Sequence, residues 1–131
     1  MTREILKPND SWDSSQYSYS QGIAVESPKK IVFVAGQVSL DKQGNLVAKD
    51  DIDRQTEQAF RNVELVLREA GCSFDDIVKL TVYLKREEDF FKVTEARKKI
   101  LGKNFPASTL VQVRSLAYPD LLVEVEAIAV K

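Results

Sequence analysis

The 131-residue sequence predicts an α+β domain, a mixed sheet of about six strands with two helices on one of its faces. Three observations predict it. From Leu121 to Val130 the residues alternate, so that Leu121, Val123, Val125, Ala127 and Ala129 share one face and Leu122, Glu124, Glu126, Ile128 and Val130 the other. Two stretches, opening at Asp51 and at Glu87, carry acidic first turns, apolar residues at helical spacing and a closing glycine. The remaining apolar runs are short, β-branched and bounded by turn residues, as strands are.

Taken in order, residues 1–18 are polar and are expected to form an extended N-terminal arm around Trp12, whose ring anchors the arm on the domain or stacks on a ligand. Tyr19-Ser20-Gln21-Gly22 leads into a first strand at Ile23-Ala24-Val25, and Ser27-Pro28 turns the chain. The unbroken run Ile31-Val32-Phe33-Val34-Ala35 fits a strand buried on both faces, and Gly36 marks a bulge or a close backbone approach. Asp41 to Asn45 is the turn of a small hairpin that returns through Leu46-Val47.

From Asp51 a helix of about five turns is expected, with Ile52, Ala59, Phe60, Val63, Val66, Leu67 and Ala70 on its inner stripe and Gly71 ending it. Ser73 and Asp76 are spaced for a reciprocal cap, and Ile77 to Leu84 is a strand. Glu87-Glu88-Asp89 then open a second helix striped by Phe90, Val93, Arg97, Ile100 and Leu101, with Lys98 and Lys99 at its negative end and Gly102 after it. These three acids read as cap charges rather than metal ligands. Asn104 to Val130 supplies two last strands with a Pro-containing connection.

The face assigned Leu110, Leu122, Ile128 and Val130 among Gln112, Glu124 and Glu126 has no helix left to cover it. A partner subunit is the natural cover, because monomers rarely leave so large an apolar patch wet. Glu124 and Glu126 stand about 7 Å apart on that face. They are either a functional pair or interface charges matched to Arg114 or to a neighbour's lysine.

Composition narrows the chemistry. With 44% hydrophobic residues the chain suits one globular domain, residues 1–131, that buries roughly two-thirds of its unfolded surface. Its net charge of −1, with Lys and Arg scattered, argues against nucleic acid as a partner. One cysteine, Cys72, allows no internal disulfide, and there is neither a transmembrane run nor an apolar leader, so a cytoplasmic protein is expected. The chain has no histidine. That removes Ser-His and Cys-His activation and every His-containing metal site, and leaves carboxylates, Lys, Tyr and backbone groups for any chemistry, with no cofactor called for.

Phe105-Pro106-Ala107-Ser108-Thr109, then Val111 and Val113, then Val123-Glu124-Val125-Glu126-Ala127-Ile128-Ala129, resemble the C-terminal signature of the Rid family, the reactive intermediate deaminases also called YjgF or L-PSP proteins. Tyr19-x-Gln21-Gly22 resembles that family's Tyr-x-Gln-Gly, whose tyrosine lines the ligand cleft, although Tyr19 also reads as an ordinary strand-end aromatic. The resemblance spans residues 17–131. It implies a chorismate-mutase-like fold, a homotrimer, and small-metabolite clefts between neighbouring subunits.

It also implies an enamine/imine deaminase that needs no cofactor, in which a glutamate matching Glu124 holds the attacking water. The substrate-binding positions it points to are Tyr19, Ala35, Gly36, Thr94, Ser108 and Thr109. Three of these depart from the deaminating pattern. Ala35 stands for a serine, Thr94 for an asparagine, and Ser108 for the arginine that grips the substrate carboxylate, so the substrate is expected to differ from small 2-imino acids. The alternative is a non-catalytic, metabolite-binding trimer of the same fold. An endoribonuclease or translation-inhibitor role fits poorly with the net charge and the missing histidine.

Overall fold

The computed structural model describes residues 1–131, except for the side chain of Ser15, which falls in the expected arm and lies outside the described groups. Strands β1 (Thr2–Leu6) and β2 (Gly22–Glu26) precede β3 (Ile31–Val38), α1 (Ile52–Glu69), β4 (Ile77–Leu84), α2 (Phe90–Leu101), β5 (Ala107–Gln112) and β6 (Val123–Val130). The strands form two sheets rather than one: an antiparallel β1-β2 pair and a mixed sheet in the order β3-β6-β4-β5. Ser27, with φ of 54°, and Pro28, which has no N–H to donate, turn the chain out of line after β2. The N–H groups of Lys29 and Lys30 then bond the Lys131 carbonyl, which starts β3 alongside β6, while β2 pairs back onto Thr2–Leu6.

Strand β6 is the centre, antiparallel to both β3 and β4. Strands β4 and β5 run parallel, which requires a crossover, and α2 supplies it. Both helices cover the side of this sheet to which Leu80, Val82, Leu84, Val123, Val125, Ala127 and Ala129 point, all of them buried. Phe60, Val63 and Leu67 of α1 pack on that surface, and truncating one such residue to Ala costs about 2–5 kcal/mol.

The expected ends are in place except at the start of α2, where Glu87–Asp89 form a 3-10 turn and Asp89 pairs with Arg86 at 2.9 Å instead of capping the helix. Asp51 accepts from the Arg54 N–H at 3.0 Å, Asp76 accepts from the Ser73 N–H at 2.8 Å, and Gly71 and Gly102 take φ of 73° and 74° beyond the two helices. The small hairpin closes through Leu40 opposite Leu46. No helix of the described residues is long and apolar enough to cross a membrane.

Four sequence expectations change. Strand β3 is not buried on both faces: as an edge strand paired only with β6 it leaves Ile31 52% and Phe33 75% exposed on the side away from the helices. Leu110 and Gln112 do not join the open face, because β5 lies in register with β4 and sets Ser108, Leu110 and Gln112 beside the inward Leu80, Val82 and Leu84. Leu122 precedes the start of β6 and is only 4% exposed. On α1, Val66 is exposed and Gln55 is buried; its amide donates to the Ala48 and Asp120 carbonyls and accepts from the Leu122 N–H, tying the loop before β6 to the helix.

Candidate functional site

The polar residues singled out from the sequence fall in two places, on opposite sides of the four-stranded sheet. On the open side, alternation brings Glu124 and Glu126 of β6, Lys79, Thr81 and Tyr83 of β4 and Thr109 of β5 together, with Ala35 and Gly36 of β3 at the rim. Tyr83 donates its hydroxyl to Glu126 at 2.6 Å, and Lys79 donates to the Thr109 hydroxyl at 2.9 Å. The bond to Glu126, then burial, then the charges of Glu126 and Glu124 hold the Tyr83 phenol above its ordinary pKa, so it stays a donor.

Glu124 is placed by a missing side chain. The register of β3 on β6 slips between Val34 and Gln37, and a Cβ added to Gly36 in that bulge would overlap the Glu124 carboxylate. Glycine is required there for the approach, as the sequence suggested. Among the described residues Glu124 accepts no hydrogen bond and makes no ion pair, and neither acid pairs with Arg114 or with a lysine of the chain. The half-buried Glu124 carboxylate is therefore free to accept from water or a ligand.

The second place lies at the sheet edge, on the helix side. Ser20 bridges to Ala107 in parallel and its N–H bonds the Pro106 carbonyl at 2.9 Å, which fixes the segment before β2 at the start of β5. Tyr17 and Tyr19 then line a cavity of about 270 Å³ with Phe90, Arg97, Ser108 and Leu110. Trp12, 67% exposed, donates its ring N–H to the Tyr19 hydroxyl at 3.2 Å, so its ring lies open rather than buried in the domain. Thr94 is buried beside this cavity, where its hydroxyl donates to the Phe90 carbonyl at 2.9 Å and its own carbonyl accepts from Ser18 at 3.2 Å. Its hydroxyl proton is thereby committed to the helix.

Ser108 is occupied in another way. Its hydroxyl accepts from Nη1 of Arg97 at 2.9 Å. Nε of Arg97 donates to the Ser18 hydroxyl at 3.2 Å and Nη2 to the Tyr17 carbonyl at 2.7 Å. Burial lowers the Arg97 pKa to about 10, slightly offset by Tyr19, so the group remains a cation at neutral pH. Sequence reasoning treated Arg97 only as a member of the α2 stripe. The signal was a permanent charge at an apolar-period position, where charged residues are rarely buried without a partner.

The structure thus brings Tyr19, Thr94 and Ser108 together around Arg97, and gathers Ala35, Gly36, Thr109 and Glu124 on the other face. Within one chain the two groups do not meet. A cleft that used both Ser108 and Glu124 would need them from different copies.

Comparison with known proteins gives a consistent picture. The family model described as endoribonuclease L-PSP matches residues 13–131. A RutC family protein of Pyrococcus abyssi is 42% identical over 113 residues, 86% of each chain. The human 2-iminobutanoate/2-iminopropanoate deaminase is 32% identical over 113 residues, 86% of this chain and 80% of that one. Among solved structures, the Rid family protein YyfB of Yersinia pestis matches 100% of both chains with a TM-score of 0.91 and 28% identity.

Proposed function

This chain belongs to the endoribonuclease L-PSP family, the Rid family its C-terminal motif resembles, and we propose that it hydrolyses reactive imines or enamines to carbonyl compounds and ammonia, with water held by Glu124. The single observation that carries the reading is the Glu124 carboxylate, seated over Gly36 on a half-buried face with no donor among the described residues. An imine carbon is already electrophilic, so the protein's task is to orient it and to supply a base within hydrogen-bond reach of the water.

The atoms balance without a cofactor. Glu124 accepts a proton from the water as its oxygen bonds to the imine carbon, the C=N π pair moves onto nitrogen, and Glu124 returns that proton to the nitrogen. In the carbinolamine the hydroxyl proton passes to the amine through the same carboxylate as the C–N bond breaks, so that ammonia leaves and the C=O bond forms. An enamine enters the same sequence after protonation at carbon.

The cleft is formed between copies, in a homotrimer. Two observations support this: Ser108 and Glu124 lie on opposite sides of the sheet, and Ile31, Phe33 and Val111 are exposed on the open face. The test is hydrolysis of enzymatically generated 2-iminobutanoate and of larger imines, followed as ammonia release. Glu124→Gln should lower turnover at least about 100-fold while leaving assembly intact. Equal turnover in the variant would remove Glu124 from the mechanism.

A second reading, a trimer that binds a metabolite without turnover, is favoured by the hydroxyl at Ser108, since β5 itself offers no cation to a substrate carboxylate. It predicts ligand binding with no ammonia release from any imine.

A further inference from the structure

We propose that Arg97 is the anion-binding residue of the edge cavity, taking a carboxylate or another planar oxyanion on the guanidinium N–H groups that the fold leaves unused. Arg97 sits on the inner stripe of α2 and is only 3% exposed. A guanidinium withdrawn this far from water is normally matched by a carboxylate. None of the ion pairs among the described residues includes Arg97.

What holds it instead is neutral. Of its five N–H groups, one on Nε goes to the Ser18 hydroxyl, one on Nη1 to the Ser108 hydroxyl and one on Nη2 to the Tyr17 carbonyl. These three contacts come from the N-terminal segment and from β5, so they fix the guanidinium plane from two directions without neutralising it. The other two N–H groups, one on each Nη, have no acceptor among the described residues. Donors on neighbouring nitrogens are spaced for the two oxygens of one carboxylate, and because the plane is already held, little freedom is lost when an anion binds.

The surroundings fit a small organic anion better than an inorganic one. Arg97 lines a cavity of about 270 Å³ whose other walls are Tyr17, Tyr19, Phe90, Ser108 and Leu110. Three aromatic rings and a leucine would cover the apolar remainder of a ligand only a few carbons long. Burial has lowered the affinity of Arg97 for its proton without discharging it at neutral pH, so a poorly solvated cation awaits an anion there.

The inference rests on the proposed hydrolase only in taking the physiological ligand to be its substrate; the anion site stands on Arg97 and its three contacts. The experiment compares butanoate with butanamide, an uncharged compound of the same shape, by calorimetric titration of the full-length protein at fixed ionic strength. Wild type should bind butanoate about tenfold or more tightly than butanamide. Arg97→Gln should erase that preference, and Arg97→Lys, which keeps the charge but loses the planar fork, should retain a part of it. A folded Arg97→Gln with the wild-type preference, or a wild type with no preference, would overturn the proposal and leave Arg97 a structural tie.

Should Arg97→Gln fail to fold, the Arg97 side-chain nitrogen resonances of the wild type decide. They should shift with butanoate and not with butanamide, and no shift overturns the assignment. Ammonia release from the wild type separates the two ideas: carboxylate selectivity in a wild type that releases no ammonia from any imine removes the hydrolase and keeps the anion site, whereas imine hydrolysis without carboxylate selectivity does the reverse.

Discussion

The two sides of the four-stranded sheet are made by the same strands under the same alternation, and they are finished differently. Toward α1 and α2, Leu80, Val82, Leu84, Val123, Val125, Ala127 and Ala129 meet Phe60, Val63 and Leu67 in a continuous apolar layer. On the other side Ile31, Phe33 and Ile128 adjoin Lys79, Thr81, Tyr83, Glu124 and Glu126, and apolar and polar groups alternate from strand to strand. Several of the polar groups there already bond one another, Tyr83 with Glu126 and Lys79 with Thr109. A face whose polar groups are partly satisfied in advance can be buried by a second copy at less desolvation cost. The difference teaches that the first side encodes the fold of one chain, while the second carries its proposed chemistry and its proposed contact with another.

The sharpest way to break this comparison is to damage each side separately. Phe60→Ala opens a cavity in the covered layer and should cost about 3–5 kcal/mol in denaturant unfolding. A loss below about 1 kcal/mol would mean that the layer repacks and is less continuous than described. On the open side, Gly36→Ala should leave the fold nearly unchanged and displace the Glu124 carboxylate, lowering imine hydrolysis about 100-fold. Full activity there would show that Glu124 works from another position.

Phe33→Asp tests the proposed contact. It should reduce the mass seen by light scattering to that of a monomer, near 14.8 kDa, while changing the monomer's own stability by less than about 0.5 kcal/mol. An unchanged trimer would exclude Phe33 from the interface.

The smallest effect is a pH dependence confined to Arg97. Its folded pKa, about 10, lies below the ordinary arginine value, so the unfolded chain holds this proton at pH values where the folded chain has released it. The burial penalty is therefore present in full below pH 10 and is relieved as pH rises above it. Comparing wild type with Arg97→Met, so that other titrations cancel, the stability difference should move toward wild type between pH 9 and about 11. A flat difference would mean that the guanidinium is better solvated than its burial indicates. Added butanoate should shrink the same trend by compensating the charge.

Much of the architecture was legible because it is written locally. The alternation through β6, the Asp51 cap, the glycines after both helices, the hairpin at Asp41 to Asn45 and the bulge at Gly36 all depend on residues within a few positions of each other. The pairing of β1 with β2 was not legible, since Thr2 to Leu6 has no strong alternation and draws its order from a partner about twenty residues away. Nor were the faces of β5: alternation says that Ser108, Leu110 and Gln112 share a side, but not which side.

The sequence by itself determined the order of elements from β2 to β6, the inward face of β6, the absence of histidine chemistry and a bulge or close backbone approach at Gly36. Only the tertiary structure decided that Ser108 and Glu124 stand on opposite sides of the sheet, and that Arg97 of α2 reaches Tyr17 and Ser18 across 80 and 79 positions of chain to share Ser108. The physical reason is the range of the forces involved. Turns, caps and strand alternation are set by neighbouring dihedral angles and side chains, whereas the register between strands and the burial of a charge are settled only when distant segments compete for the same hydrogen bonds and the same space.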